Sequence, residues 1–581
     1  MKTRLTVTAL LSALAPMTGI AAQQRAVPQR PQFSPSGRAT TQCAGQRIDS
    51  IYVFSDAPTV QRLQRVPALA RIARDVHVVT RPELIRRYLL LEPGAPCTEI
   101  RRAESERILR AQPFIAEADV VAVPNDDGGV DLEVRTTDET SMVLGGSFRA
   151  RAPMVSALLL GNANIAGGGV FGALSWRYGE GLRDAVAIRV TDNQFLGQVM
   201  VSTVEGERSE RGGRWRMDLL RPYYTDLQRL AWRAQAGAST QYAELRRPDD
   251  LRPSVMVRRN FFDVGSIARV GAPGRLGLLG ASVTGVDEQT GDRLTTVDSG
   301  IVSDVGALPR NYPAHRVARL NLLAGVRYIQ FVRRTGLDAL TATEDVPLGV
   351  QIGTLFGRSV RAFGSREDDL FASADLYASS TSGVGVLRLQ ARGEARRVTT
   401  SDNWDGILTS ARLSHVLQFS ASHQNQFRLE WSGTYRQRTP IQLLFGIIDG
   451  GVRGFEDSPL AGGQRLVGHV DERFLMGRPF NLADVGIAAF ADAGRQWAGD
   501  VPFGVTTSIK GSLGFGLLAA LPPRSGRLWR ADVALPLGSG ANSRWTVSIT
   551  NADRVGFVYR EPGDVADARE PTVPRSVFAW P

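Results

Sequence analysis

The sequence predicts a mainly β fold: an antiparallel transmembrane β-barrel of about 16 strands, preceded by one small α+β domain. Three observations carry this expectation. Apolar and polar residues alternate with period two from about Thr140 onward, glycine-rich turns separate the alternating runs, and the first 22 residues have the layout of a secretory leader. Composition agrees. The 581 residues include 60 Gly and are 43% hydrophobic, with a mean hydropathy of −0.12. Past residue 25 no uncharged apolar run approaches the ~18 residues that a spanning helix needs. Apolar residues recur to the end, which excludes a disordered chain. Two cysteines are too few for a disulfide scaffold or a structural zinc cluster.

The elements follow in order. Lys2 and Arg4 form a positive n-region, Leu5 to Ala15 is a short apolar stretch, and Gly19-Ile20-Ala21-Ala22 offers small residues for cleavage. Residues 1–22 therefore read as a signal peptide cut near Ala21 and Ala22, which places the mature chain outside the cytoplasm. Despite the net charge of +11, that location argues against nucleic acid as a partner. Residues 46–139 carry 13 Arg against 16 Asp+Glu, so the excess belongs to the later part of the chain. Residues 23–45, rich in Gln, Pro, Arg and Ser, read as a disordered lead-in.

Residues 46–139 read as strand, helix, helix, strand, strand. Ile48 to Phe54 alternates. Arg81-Pro82-Glu83 opens a helix through Leu91, with proline at the start where its missing N–H costs nothing. Thr98 caps a second helix, Glu99 to Ala111, with Ile100, Ala103, Ile108 and Ala111 on one side and Leu109 off that face. Strands Ile115 to Val123 and Val130 to Thr136 flank the turn Asn125-Asp126-Asp127-Gly128-Gly129.

Residues 140–555 read as the barrel. Phe427, Leu429, Trp431, Gly433 and Tyr435 alternate with Arg428, Glu430, Ser432, Thr434 and Arg436. Leu320, Leu322, Ala324, Val326 and Tyr328 alternate with Arg319, Asn321 and Arg327, and Trp215, Met217 and Leu219 with Arg214, Arg216 and Asp218. A two-sheet sandwich alternates too, but seldom needs so many strands. Closure is required in lipid, where a free sheet edge leaves N–H and C=O groups unpaired. The 416 positions (555 − 140 + 1) allow 26 per strand over 16 strands (416/16), room for a ~10-residue strand and its connection. The closing strand is either the run around Trp545, Val547 and Ile549 or the terminal segment of the tail, residues 556–581.

Signals for enzyme chemistry are weak. Gly167, Gly169 and Gly172 match a dinucleotide fingerprint, yet alternating Phe171, Ala173 and Ser175 follow instead of a helix, so a glycine-rich barrel turn is the better reading. His77, His315, His415, His423 and His469 show no metal spacing, and there is no nucleophile elbow. No cofactor or metal is expected. Hydrolases that place a catalytic Ser, His and acid on a barrel without a local motif stay open as a distant alternative.

The most specific constellation lies near the C-terminal end. Val452-Arg453-Gly454-Phe455 sits in a turn-rich stretch, Leu466 to Leu475 follows with Asp471 and Arg473, and then comes Phe490-Ala491-Asp492-Ala493-Gly494, with Trp497 beyond. This order resembles the bacterial surface antigen family, the outer-membrane assembly barrels of the BamA/TamA type. The 46–139 unit is similar to that family's periplasmic POTRA domains, and Asn164-Ile165-Ala166-Gly167-Gly168-Gly169 to an early barrel motif. The resemblance implies a Gram-negative outer-membrane location, the N-terminal unit in the periplasm, and a non-enzymatic role in inserting or translocating proteins or lipids. It implies membrane lipid, unfolded client proteins and accessory periplasmic proteins as partners. A channel or anchoring barrel without that activity is the alternative.

The resemblance also assigns Arg453 to the tip of the sixth extracellular loop, folded back into the lumen, with Asp492 as its partner. Alternation agrees, since Phe490, Asp492 and Gly494 share one parity and Val485, Ile487, Ala489 and Ala491 the other. Asp471 and Arg473 share parity with His469, while Glu472 falls with Val470 and Phe474, so Asp471 is the expected luminal acid. The competing reading pairs Arg453 with the neighbouring Glu456 or Asp457 on a solvated loop. Two features depart from the family: one α+β unit where assembly proteins carry several, and a long insertion, Ser55 to Thr80. Cys43 and Cys97 flank that insertion and are expected to form a disulfide rather than two independent thiols.

Overall fold

Alternation along the chain becomes a wall in space. A computed structural model of the chain describes residues 34–58, 78–149, 155–178, 184–249, 251–298, 301–399, 403–446, 450–456, 458–539, 545–552 and 561–569. The expected signal peptide and most of the Ser55–Thr80 insertion lie outside these residues. Between Met142 and Ala552, antiparallel strands pair in sequence order and the last pairs with the first, closing a barrel.

The wall has 20 strands among the described residues, which corrects the expected 16. The hairpin Arg293–Asp298 and Ile301–Ala307 stands outside that number, because the strands on either side of it pair directly from Leu276↔Arg327 to Glu288↔His315. The miscount came from the connections. Several hairpins turn in two residues, as between Ser209 and Gly212, Ala272 and Arg275, and Ser382 and Gly385. The 411 residues from 142 to 552 therefore hold a strand about every 21 residues (411/20).

The two faces separate as the period requires. Leu320, Leu322, Tyr328, Phe356 and Leu517 point outward and are half exposed or more, whereas Arg319, Asn321 and Arg327 point inward and are buried. Charges on the inner face are paired. Arg319 meets Asp369 bidentately at 2.9 and 2.6 Å with its guanidinium 4.9 Å from the Phe371 ring.

The N-terminal unit is a four-stranded sheet with two helices. Its elements are β1 (Ala44–Asp56), α1 (Pro82–Arg86), β2 (Pro96–Thr98), α2 (Glu99–Arg110), β3 (Ile115–Pro124) and β4 (Val130–Asp138). The sheet order is β2-β1-β4-β3, with β1 parallel to β4. The short β2 was not expected. It pairs Ala44 with Thr98, which brings Cys43 and Cys97 together in a disulfide with Cα atoms 4.9 Å apart. Replacing both cysteines with alanine should lower the unit's stability by about 4 kcal/mol, because the bridge closes a 55-residue loop (97 − 43 + 1) in the unfolded chain. Thermal unfolding with and without a reductant measures this, and identical midpoints would contradict it.

Several local expectations change. The lead-in is ordered from Ser34: Ser36 donates to Glu133 through its backbone N–H (3.0 Å) and its hydroxyl (2.6 Å), Arg38 meets the same carboxylate at 2.8 Å, and Thr41 N–H bonds Ala122 O at 2.8 Å. Helix α1 stops at Arg86 rather than Leu91, and the Thr98 side chain makes no capping bond to α2. On α2, Ile108 is buried as expected, but Ile100 is 48% exposed and Leu109, expected off the face, is fully buried. The reason is tertiary. Helix α2 is covered by the sheet on one side and by the barrel on the other, so burial follows its two partners rather than one apolar stripe.

The contacts beneath α2 show that it lies across one mouth of the barrel. Arg107 bonds the carbonyl of Tyr224 and stacks 4.3 Å over Phe331, and Arg110 pairs with Asp345 at 2.8 Å. Arg110 is buried, which by itself would lower its pKa, yet Asp345 and Glu106 hold it above the usual guanidinium range. Glu106 is the hub: Arg102 and Arg110 each meet it at 2.5 Å, and Arg333 from the barrel wall joins them. Opposite, Ser525 donates to Glu139 at 2.6 Å, and Tyr88 donates to Asn193 O at 2.9 Å. The Gly167–Gly169 turn fits here as well. A Cβ on Gly167 would lie 2.3 Å from Val79 O, and one on Gly169 2.8 Å from Leu84, so glycine permits the close approach. Glu106→Ala would leave Arg110 with Asp345 and Arg102 with Glu99, and would take from the three crowded guanidiniums the acid they share. The expected cost is about 3–5 kcal/mol, read as tryptic cleavage of the N-terminal unit while the barrel stays intact. Unchanged protection would show that the mouth contact is not held by this hub.

Candidate functional site

At the mouth away from the N-terminal unit, the connection between strands His423–Tyr435 and Gln464–Gly477 turns back into the lumen. Its conformation is set locally. Leu443–Leu444 pairs with Ala461–Gly462, Val452 N–H bonds Phe445 O at 2.8 Å, and Phe455 meets Phe445 edge-on with ring centroids 5.5 Å apart. Phe445, Val452, Phe455 and Val467 form a buried cluster that fixes the loop against the wall. Gly494 makes room for it: a Cβ there would lie 3.0 Å from the side chains of both Val452 and Val467. Gly454, at φ +86°, packs against Pro536.

This packing delivers Arg453 into a ring of carboxylates. Its Nε and Nη2 donate to Asp492 at 2.9 and 3.1 Å, a bidentate pair, and its backbone N–H donates to the same group at 3.3 Å. Nη1 reaches Asp532 at 3.2 Å and Nη2 reaches Asp471 at 3.4 Å. The guanidinium lies 3.6 Å from the centre of the Phe490 ring. All three Asp are buried, and Arg453 itself is only 6% exposed. Arg530 completes the set, bonding Asp471 at 2.5 Å and both Asp532 oxygens at 2.7 Å. His469 Nδ1 lies 2.9 Å from Asp492.

Val452, Arg453, Gly454, Phe455, Asp471, Phe490, Asp492 and Gly494 are therefore brought together. Arg473 is not. It points inward, but its Nη1 bonds Asp338 O at 3.1 Å, in a turn at the opposite mouth. Glu456 accepts a bond from Gly454 N–H at 3.1 Å rather than from Arg453, and Asp457 lies outside the described residues. Glu472 points outward to His423 and Asn425. Three members were missed: His469, Arg530 and Asp532. Arg530 and Asp532 share inward parity with Ala534, while Val533, Leu535 and Leu537 face out. Two charges on the inner parity of an otherwise apolar strand were the available signal.

Arg453 ties together strands Gln464–Gly477, Asp484–Trp497 and Leu528–Leu537. The next strand, Thr546–Ala552, is the last, and it closes the barrel on Met142–Arg149. That ladder is short. Among the described residues it pairs at four positions, from Thr546↔Arg149 to Ile549↔Gly146, where the ladders on either side of it, Leu528–Leu537 with Thr546–Ala552 and Met142–Arg149 with Val155–Ile165, each pair at seven. The arrangement can hold one side of the seam rigid through the Arg453 cluster while leaving the seam itself weak.

No family model and no curated protein matches the chain. Among solved structures it is similar to BamA from Haemophilus ducreyi lacking POTRA domains 1–3, at 12% identity over 87% of this chain and 84% of that one, with a TM-score of 0.37. It is similar to CdiB from Acinetobacter baumannii at 11% identity over 87% and 74%, TM-score 0.41. CdiB from Escherichia coli aligns at 11% identity over 88% and 76%, TM-score 0.45.

Proposed function

We propose that the chain is an outer-membrane barrel that assists insertion or translocation of proteins, without enzymatic chemistry. Its partners in this reading are membrane lipid and unfolded client chains, with accessory periplasmic proteins docking on the N-terminal unit. The observation that carries the reading is the four-position seam beside a braced wall. A barrel built only as a pore or anchor gains nothing from one weak ladder, whereas an insertase needs an edge that opens toward lipid. The outward band of Leu, Phe and Tyr suits a lipid surface. The N-terminal sheet would receive a client segment by strand addition, with β3 and β2 at its edges.

Depleting the protein and profiling the outer membrane tests the proposal. A selective fall in outer-membrane proteins or translocated products is expected. Normal composition with altered solute permeability would favour the channel reading instead.

A further inference from the structure

The C-terminal segment Glu561–Arg569, which includes helix α3 (Gly563–Ala568), lies inside the lumen. Glu561 meets Arg392 at 3.3 Å and accepts from Ser410 at 2.7 Å. Arg569 meets Glu394 at 3.1 Å and the segment's own Glu561 at 2.7 and 2.8 Å. Asp564 pairs with Arg465 at 2.7 Å and accepts from Leu444 N–H at 2.8 Å, in the loop that carries Arg453. Gly450 of the same loop packs against Pro562. The other flank reaches across the lumen, where Arg259 donates to Asp567 O at 3.1 Å. One apolar anchor, Val565, packs on Leu408 and Leu443.

We propose that Glu561–Arg569 is a detachable plug, seated in a site on the inner wall whose ligand class is a short acidic peptide with one hydrophobic anchor and an arginine. The segment has three acids and one arginine, a net charge of −2, and it faces wall arginines. Polar and ionic contacts dominate its seat, so its release exposes little apolar surface to water beyond Val565 and its neighbours. Its departure would leave Arg465 with the Leu444 carbonyl, while the other wall cations keep an acid. Arg392 also pairs with Asp375, Arg259 with Glu288 at 2.8 Å, and Arg214, near Asp567, with Glu207 at 2.7 Å. Solvent already reaches one flank, since a cavity of about 830 Å³ is bordered by Ala566, Asp567 and Arg569.

The test is independent of any insertase activity and uses the folded full-length protein in detergent. Both native cysteines are in the disulfide, so Ser410→Cys introduces the sole free thiol at a buried site touching Glu561 and Arg569. In the full chain its labelling by a bulky maleimide should be slow at low salt and about tenfold faster at molar salt, where screening between the detached segment and the wall arginines slows its return. A chain truncated after residue 555, checked for barrel folding by heat-dependent gel mobility, should label fast at all salt concentrations. A synthetic peptide of residues 561–569 should restore protection, and one with Glu561→Lys and Asp564→Lys should not. If the full chain stays unreactive at every salt concentration, the segment is a permanent part of the wall and the proposal fails. Slow labelling of the truncated chain would show that the segment does not cover the site.

Discussion

Arg453→Ala should cost the protein about 3–5 kcal/mol, the loss typical when one partner leaves a buried ion-pair network. Removal leaves Asp471 and Asp532 sharing Arg530, and Asp492 with His469 beside it. Mutual repulsion in a buried setting should drive the loop out of the lumen before it unfolds the wall, since the wall ladders are backbone bonds that Arg453 does not make. Strand content by circular dichroism should therefore barely change, while protease cleavage within residues 436–463 should rise sharply. Arg453→Lys should rescue only in part, because an ammonium cannot reproduce the bidentate bond to Asp492 or the planar stack on Phe490. Asp492→Ala should mimic Arg453→Ala, with the double mutant well short of additive. Fully additive losses would mean that the pair contributes nothing as a pair.

How much of this was legible in the sequence depended on whether a local period or a distant partner set each feature. The wall was legible because each strand displays its two faces in its own residues, as Leu320 and Leu322 do against Arg319 and Asn321. Parity also placed Asp471 and Asp492 inward and Glu472 outward. Strand number was not legible, since two-residue hairpins such as Pro273-Gly274 leave little mark between long alternating runs. Arg473 shows the limit of parity: it points inward as expected, but its height along the wall puts it with Asp338 at the other mouth. Leu109 and Ile100 were misplaced because α2 answers to the barrel as well as to its own sheet. The tail gave no local sign of entering the lumen, because Glu561, Asp564 and Arg569 find their partners on strands 99 to 177 residues away. The seam stood between these cases. The run around Trp545, Val547 and Ile549 was one of two candidates for the closing strand, and only its pairing with Gly146–Arg149 selects it.

That ladder leads to the second large effect. Among the described residues the seam pairs at four positions against seven in the ladders on either side of it, so it is the place where the fewest backbone bonds break. The barrel should therefore open at one place, and the Arg453 cluster holds the strand next to that place through Asp532. A covalent bond across the seam tests the central claim most directly. Ser147 and Ser548 are register partners, so the double substitution Ser147→Cys, Ser548→Cys can be oxidised to lock the barrel and reduced to release it, with formation of the new bond scored on gels. The account predicts that the oxidised form folds normally, shows heat-dependent mobility, and fails to support insertion of outer-membrane proteins until reductant is added. Locked protein that sustains a normal outer-membrane composition would contradict the account and leave the channel or anchor reading in its place.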